Sequence, residues 1–297
     1  MNATPTPGPI VIGYDASETA SVALDWAGQL ATSLSVPVTV LYAASTVVYA
    51  QDASFGIHSP AEEHELAEEI AQEGAQRLRE LHPDVDVTTV ASRLSPTVAL
   101  DEASTTASLI VVGSHGRGRL AAVMLGSTAY ALSGHARCPV IVVRDDTSPL
   151  PGPDHPVVVG SDGSAGADRA VDEAADLATQ WGAPLIVTTS WAPPAPDPWD
   201  RPPPGYPSTA ACMDDLASQA ATMNRAGVAR ARARHTDLAV EEHIAEARPE
   251  DAVMTASSHT AIVVLGSRGH STLAGVLLGS TARSVLHQTQ KPVMIVH

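Results

Sequence analysis

Residues Gly113–Val143 and Gly266–Val296 align without a gap and are identical at 14 of 31 positions. A match of that length inside one chain marks an internal duplication, which restricts the fold before any single motif does. Whatever the first half folds into, the second half must fold into as well. Halves of a 297-residue chain have the size of ordinary domains. Within the repeat, the apolar run Leu109–Val112 leads to Gly113, then two residues, Gly116, nine residues, and Gly126-Ser127-Thr128. Gly266, Gly269 and Gly279-Ser280-Thr281 fall at the same intervals.

The glycines have two physical readings. A glycine that ends a buried strand serves a sharp turn or a close backbone approach. Where Gly126-Ser127 opens a helix, the first amides have no internal partners and the dipole is positive, so an anion is favoured. Two such turns and a helix start could wrap a polyphosphate. Equally, the glycines could serve only as tight turns, with Ser127 as a helix cap.

The remaining elements repeat with the motif. Ile10–Ile12 and Val157–Val159 are short apolar strands running on to Asp15 and Asp162. Ser17 is placed to cap the helix that follows, whose apolar positions Val22, Trp26, Leu30 and Leu34 mark a buried face. Pro37–Leu41 and Val85–Val90 read as further strands. Between the last two lies a helix over 61–82, with Leu66, Ile70, Leu78 and Leu81 as its face and a solvated run of charge on the other side. Pro96, preceded by Ser95, opens a short helix. Alternating strands and helices imply a parallel sheet with helices on both faces. If the first and fourth strands are neighbours, Asp15 and the glycine turn face one crevice beyond the carboxyl ends of the strands; the alternative for Asp15 is a simple turn or capping aspartate.

Linker 145–156 separates the halves, giving domains over 1–147 and 155–297. Asp162 lies 147 residues after Asp15, and Pro184 the same distance after Pro37, whereas Pro249 follows Pro96 by 153. The insertion falls at Ala192–Pro207, half of whose residues are proline, an extended surface loop carrying Trp199 and Tyr206.

Composition excludes several classes. Acidic residues number 33 against 17 basic, a net charge of -16, which opposes nucleic acid and anionic lipid. Cys138 and Cys212 form no CxxC and suggest reduced thiols. The beginning of the chain has no signal-peptide pattern, and no apolar run reaches membrane-spanning length. A cytoplasmic location is therefore expected.

The glycine pattern, occurring twice with Asp15 and Asp162 on the leading strands, resembles the nucleotide-binding signature of universal stress proteins. The resemblance covers nearly the whole chain, as a tandem member. It implies two Rossmann-like (adenine nucleotide alpha hydrolase-like) domains, each a five-stranded parallel sheet with helices on both faces, binding ATP, commonly with Mg2+, in a stress-response or regulatory role. By the same resemblance, Gly113, Gly116, Gly126, Ser127 and Thr128 hold ribose and phosphates. Gly266, Gly269, Gly279, Ser280 and Thr281 do so in the second half. Asp15 and Asp162 sit by adenine and ribose, and Ala43 and Ser190 offer backbone groups to adenine. Arg117 and Arg119 could reach phosphate or equally serve only to offset the acidic surface; His270 and Thr272 replace them in the second half. Domains of this kind pair through their last strands, here Val140–Val143 and Val293–Val296, which implies intramolecular pairing and admits a homodimer.

Signals for catalysis are few. GxSxG and GxxxxGK[ST] are both lacking. His115 in the glycine turn has Arg268 as its counterpart, which argues against a shared catalytic role. The expected function is nucleotide-dependent regulation. The alternative on the same fold is slow ATP hydrolysis or a nucleotide-dependent transfer, with Asp15 and Asp162 as the only dedicated groups.

Overall fold

The computed structural model describes residues 8–43, 60–116, 125–144, 149–195, 197, 201–270 and 278–297. Arg117, Arg119, Thr272 and Trp199 lie outside the described residues. Two compact units are present: Met1–Thr147 with Pro292–Ile295, and Ser148–Lys291 with Val296.

In the first unit β1 (Ile10–Gly13), β2 (Val38–Ala43), β3 (Val87–Ser92), β4 (Leu109–Gly113) and β5 (Val140–Val143) form a parallel sheet in the order β3-β2-β1-β4-β5. They alternate with α1 (Glu18–Leu34), α2 (Pro60–Leu81), α3 (Pro96–Ala103) and α4 (Ser127–His135). Strand order moves outward from β1 to β3 and then reverses to β4. Right-handed crossovers therefore put α1 and α2 on one face and α3 and α4 on the other. The reversal lies between β1 and β4, the switch point expected from the sequence.

The second half of the chain repeats the alternation, and its first four strands repeat the order. Its elements are β6 (Val157–Gly160), α5 (Ala165–Gln180), β7 (Leu185–Trp191), α6 (Thr209–Arg234), β8 (Val240–Glu246), α7 (Pro249–Ala256), β9 (Ile262–Gly266), α8 (Ser280–Gln288) and β10 (Val293–Val296). Parallel pairing gives β9-β6-β7-β8. The central strands β4, β6 and β9 are buried apolar runs, as a sheet covered on both faces requires, whereas the edge strands β3 and β8 carry exposed polar residues.

The helix faces differ from the periodic reading. In α1, Trp26 and Leu30 are buried, but Leu34 is 37% exposed, and the stripe against the sheet is Ala20, Ala23, Leu24, Ala27 and Ala31. Residues spaced by four advance about 40° per step around a helix of 3.6 residues per turn, so the ends of such a series leave the buried face. In α2 the same drift exposes Leu66 and Leu81, while Ala67, Ile70, Ala71, Ala75 and Leu78 are buried. Alanine lets a helix approach the sheet closely. The charged face of α2 is also more than solvated, because Arg77 pairs with Asp25 of α1 and Arg79 donates to the Val87 carbonyl.

β2 and β3 run about two residues beyond their expected ends. Pro37 has no N–H to give the ladder, and the Val85 N–H is taken by the His82 carbonyl at the exit of α2. In the inserted loop, Tyr206 donates to Asp215 on α6 at 2.5 Å. Both cysteines are free and buried.

Candidate functional site

The turn after each leading strand is built by its aspartate. Asp15 Oδ1 accepts the Ser17 N–H at 3.0 Å, and Asp162 Oδ1 accepts the Ser164 N–H at 2.9 Å. The intervening residue must adopt a left-handed backbone. Gly163 does so with φ +76°, whereas the first unit uses Ala16 at φ +59°. Ser17 and Ser164 then cap α1 and α5 through the N–H groups of Ala20 and Ala167. Asp15 and Asp162 are thus turn aspartates, and they also face the glycine turn. A Cβ at Gly116 would stand 2.6 Å from Asp15 Oδ2, and one at Gly269 would run into Asp162 Oδ2. Asp162 Oδ2 further accepts the His270 N–H at 3.3 Å, while His270 Nε2 bonds the Asp162 carbonyl at 2.7 Å.

Gly113 and Gly266 have a packing reason of their own. A Cβ on Gly113 would lie 2.8 Å from the backbone of Thr19, and one on Gly266 would lie 2.8 Å from that of Gly166. These glycines let the first turn of α1 and of α5 sit against a strand end. Thr19 then donates its hydroxyl to the His115 carbonyl at 2.5 Å.

Gly126 and Gly279 are the N-caps of α4 and α8, with φ of -63° and -60° and no side-chain cap. Their own N–H groups are used, donating to Ser114 O at 2.7 Å and Ser267 O at 2.8 Å. The groups left for a ligand are therefore the next amides, from Ser127–Ala129 and Ser280–Ala282, together with the serine and threonine hydroxyls. The strand ends are held alike: Ser114 N–H meets the Val143 carbonyl and Ser267 N–H the Val296 carbonyl.

In the second unit these parts enclose a cleft of about 330 Å³, within the range of small-molecule sites. Asp162, Ser190, Gly266, Gly269, Gly279, Ser280 and Thr281 all line it. The wall opposite is Pro249, Ala252 and Val253 of α7 with Leu265 of β9, and Arg268 supplies a positive charge. Thr188 completes the β7 side. Sequence reasoning missed Thr188, Arg268 and the α7 wall. The proline that opens α7 was visible, but nothing local showed that its first turns face the glycines. In the first unit Asp15, Gly113, Gly116 and Gly126–Thr128 occupy the matching places, and Ala43 ends β2 opposite Ser92.

The model of the universal stress protein family matches residues 7–144 and again residues 155–297. This chain belongs to that family. A universal stress protein of Mycobacterium tuberculosis is similar to it at 31% identity over 297 residues, covering 96% of each chain. One of Mycolicibacterium smegmatis is 30% identical over 292 residues, covering 97% of this chain and 96% of its own. Among solved structures, a universal stress protein from Archaeoglobus fulgidus superposes with a TM-score of 0.68 at 23% identity, covering 98% of this chain and 96% of that one. That likeness supports the fold. Both halves of the duplication are thus universal stress protein domains.

Proposed function

We propose that each half of this universal stress protein binds one adenine nucleotide, ATP with Mg2+, and that occupancy regulates partner choice in a cytoplasmic stress response. The observation that carries this reading is the cleft of the second unit, where every second-half residue selected for nucleotide binding lines one cavity. Its donors fit an anionic ligand. The first amides of α8 lack a side-chain cap, Ser280 and Thr281 add hydroxyls, and Arg268 adds charge. The apolar α7 wall suits a base. Asp162, the one carboxylate on the cleft among the described residues, keeps acceptor capacity after two backbone amides. It can therefore take a ribose hydroxyl or one site on a magnesium ion. Such ions are held mainly by phosphates, with one or two carboxylates. Bound magnesium would neutralise part of the polyphosphate charge.

Calorimetric titration with ATP, with and without magnesium, tests the reading. Up to two nucleotides per chain are expected, because both halves keep the full motif, and adenine nucleotide should be found by mass analysis of denatured protein. No ATP binding in the presence of magnesium would overturn it.

A further inference from the structure

The two halves do not present the same chemistry at the β2 and β7 side of the site. Leu41 of β2 stands opposite Val90 of β3, and Thr188 of β7 stands opposite His243 of β8. These are the corresponding pairs of the duplication. Side chains alternate along a strand. Val187 and Thr189 belong to the α6 side, where Thr189 meets the amide of Asn224. Thr188 and Ser190 turn to the other side and line the cleft with the apolar residues of α7. Thr188 is only 2% exposed, so its hydroxyl would be costly there without a partner. His243 Nδ1 provides one at 2.8 Å. A hydroxyl carries one donor and two acceptor positions, so Thr188 keeps capacity toward the cleft. Leu41, 4% exposed in the first unit, has none.

We propose that Thr188, oriented by His243, reads the hydrogen-bonding edge of the base bound in the second unit, whereas the first unit offers only the apolar Leu41 side chain at that place. This rests on the adenine-nucleotide reading above and adds a specificity to it. With phosphates at the start of α8, the base falls between β7 and α7, beside Thr188 and Ser190. A site that hydrogen-bonds a ligand rejects the analogue lacking the partner atom, since its buried group is then unpaired. An apolar site tolerates the same analogue. His243 is a positioning residue: its Nδ1 occupies one hydrogen-bonding position of the Thr188 hydroxyl and leaves the others for the ligand.

The experiment is calorimetry on the full chain with ATP, 1-deaza-ATP, 7-deaza-ATP and purine riboside triphosphate, which lacks the amino group. One of the two sites is expected to bind at least one analogue about tenfold more weakly than ATP, the worth of one net hydrogen bond, while the other site binds both alike. Thr188→Val should abolish that difference, and Thr188→Ser, which keeps the hydroxyl, should preserve it. His243→Ala should reduce the ratio. Thermal melting confirms that each variant folds, and Thr188→Ala, which also removes the hydroxyl, serves if valine does not fold. Equal treatment of all analogues at both sites, or discrimination unchanged in Thr188→Val, overturns the assignment and leaves nucleotide binding intact. Failure of ATP itself to bind removes both.

Discussion

At the scale of single residues, the glycines of the motif separate into two kinds. A Cβ at Gly279 would stand 3.5 Å from the Ser267 carbonyl, an ordinary contact, and the backbone angle there suits any residue. Gly279→Ala should then cost on the order of 1 kcal/mol or less, while intruding beside the amides that face the ligand. Loss of one nucleotide with a nearly unchanged melting temperature is the expected result; two nucleotides bound at unchanged affinity would contradict it. A Cβ at Gly126 comes to 3.1 Å of Ser114 O, so Gly126→Ala should be somewhat less stable. Gly266→Ala differs in kind, because the new carbon meets the backbone of Gly166 and α5 must move. A cost of about 1–3 kcal/mol is expected, read by denaturant unfolding. Ala16 gives a change of opposite sign. It holds φ +59° where the second unit has Gly163, so Ala16→Gly should stabilise the chain by up to about 1 kcal/mol, measured as a rise in the denaturation midpoint.

At the scale of elements, α5 and α6 are joined by a ladder of charge. Asp168 and Asp172 meet Arg230, and Asp176 meets Arg234 and His235. Burial pushes the Asp176 carboxyl up, but the hydrogen bonds from Arg234 and His235 outweigh it and hold the group below the ordinary carboxylate value. A lowered value in the folded state stabilises above the unfolded value of 3.8. That stability is lost as pH falls through the folded value. Both partners are roughly two-fifths exposed, at 44% and 40%, so solvent screens the pair. Asp176→Asn should cost less than about 1 kcal/mol at pH 7, with the difference from the native chain closing at an acid pH below the folded value. Urea unfolding at the two pH values checks both statements; a gap that widens on acidification would show the sign to be wrong. Burial, with the neighbouring Asp176 and Asp172 charges, also raises Glu173 on the same helix against the pull of Arg234, an effect of opposite sense that Asp176→Asn relieves in part.

At the scale of the whole molecule, charge sets the choice of partner. A net charge of -16 repels a phosphodiester backbone at every approach, whereas the nucleotide proposed above would meet local donors that outweigh the distant, screened field. No stable complex with DNA or RNA is therefore expected at physiological salt in a mobility-shift assay; a retained complex would point to a basic surface not evident from composition. Among the described residues no helix is long and apolar enough to cross a membrane. The duplication repeats one motif in both halves, and the two copies differ where Leu41 corresponds to Thr188.

The repeat, its offset and the alternation of strand and helix were legible in the sequence because they are periodic. Periodicity is a property of residues a few positions apart. The glycines and the helix start on the cleft were legible too, since glycine at a strand end and an uncapped helix start advertise their own backbone. What each group touches was not. Gly113 meets Thr19, Asp162 meets His270, and Thr188 shares a cleft with Val253. Each of these pairs is far apart in the chain. The alanine stripes of α1 and α2 were hidden for a related reason: alanine carries little hydrophobic signal, and only the nearness of the sheet makes its smallness matter. Local pattern determined which elements form and where the backbone is open. Only the tertiary structure, which brings distant atoms within hydrogen-bond and van der Waals range, decided which side chains finish the site and how the two halves differ.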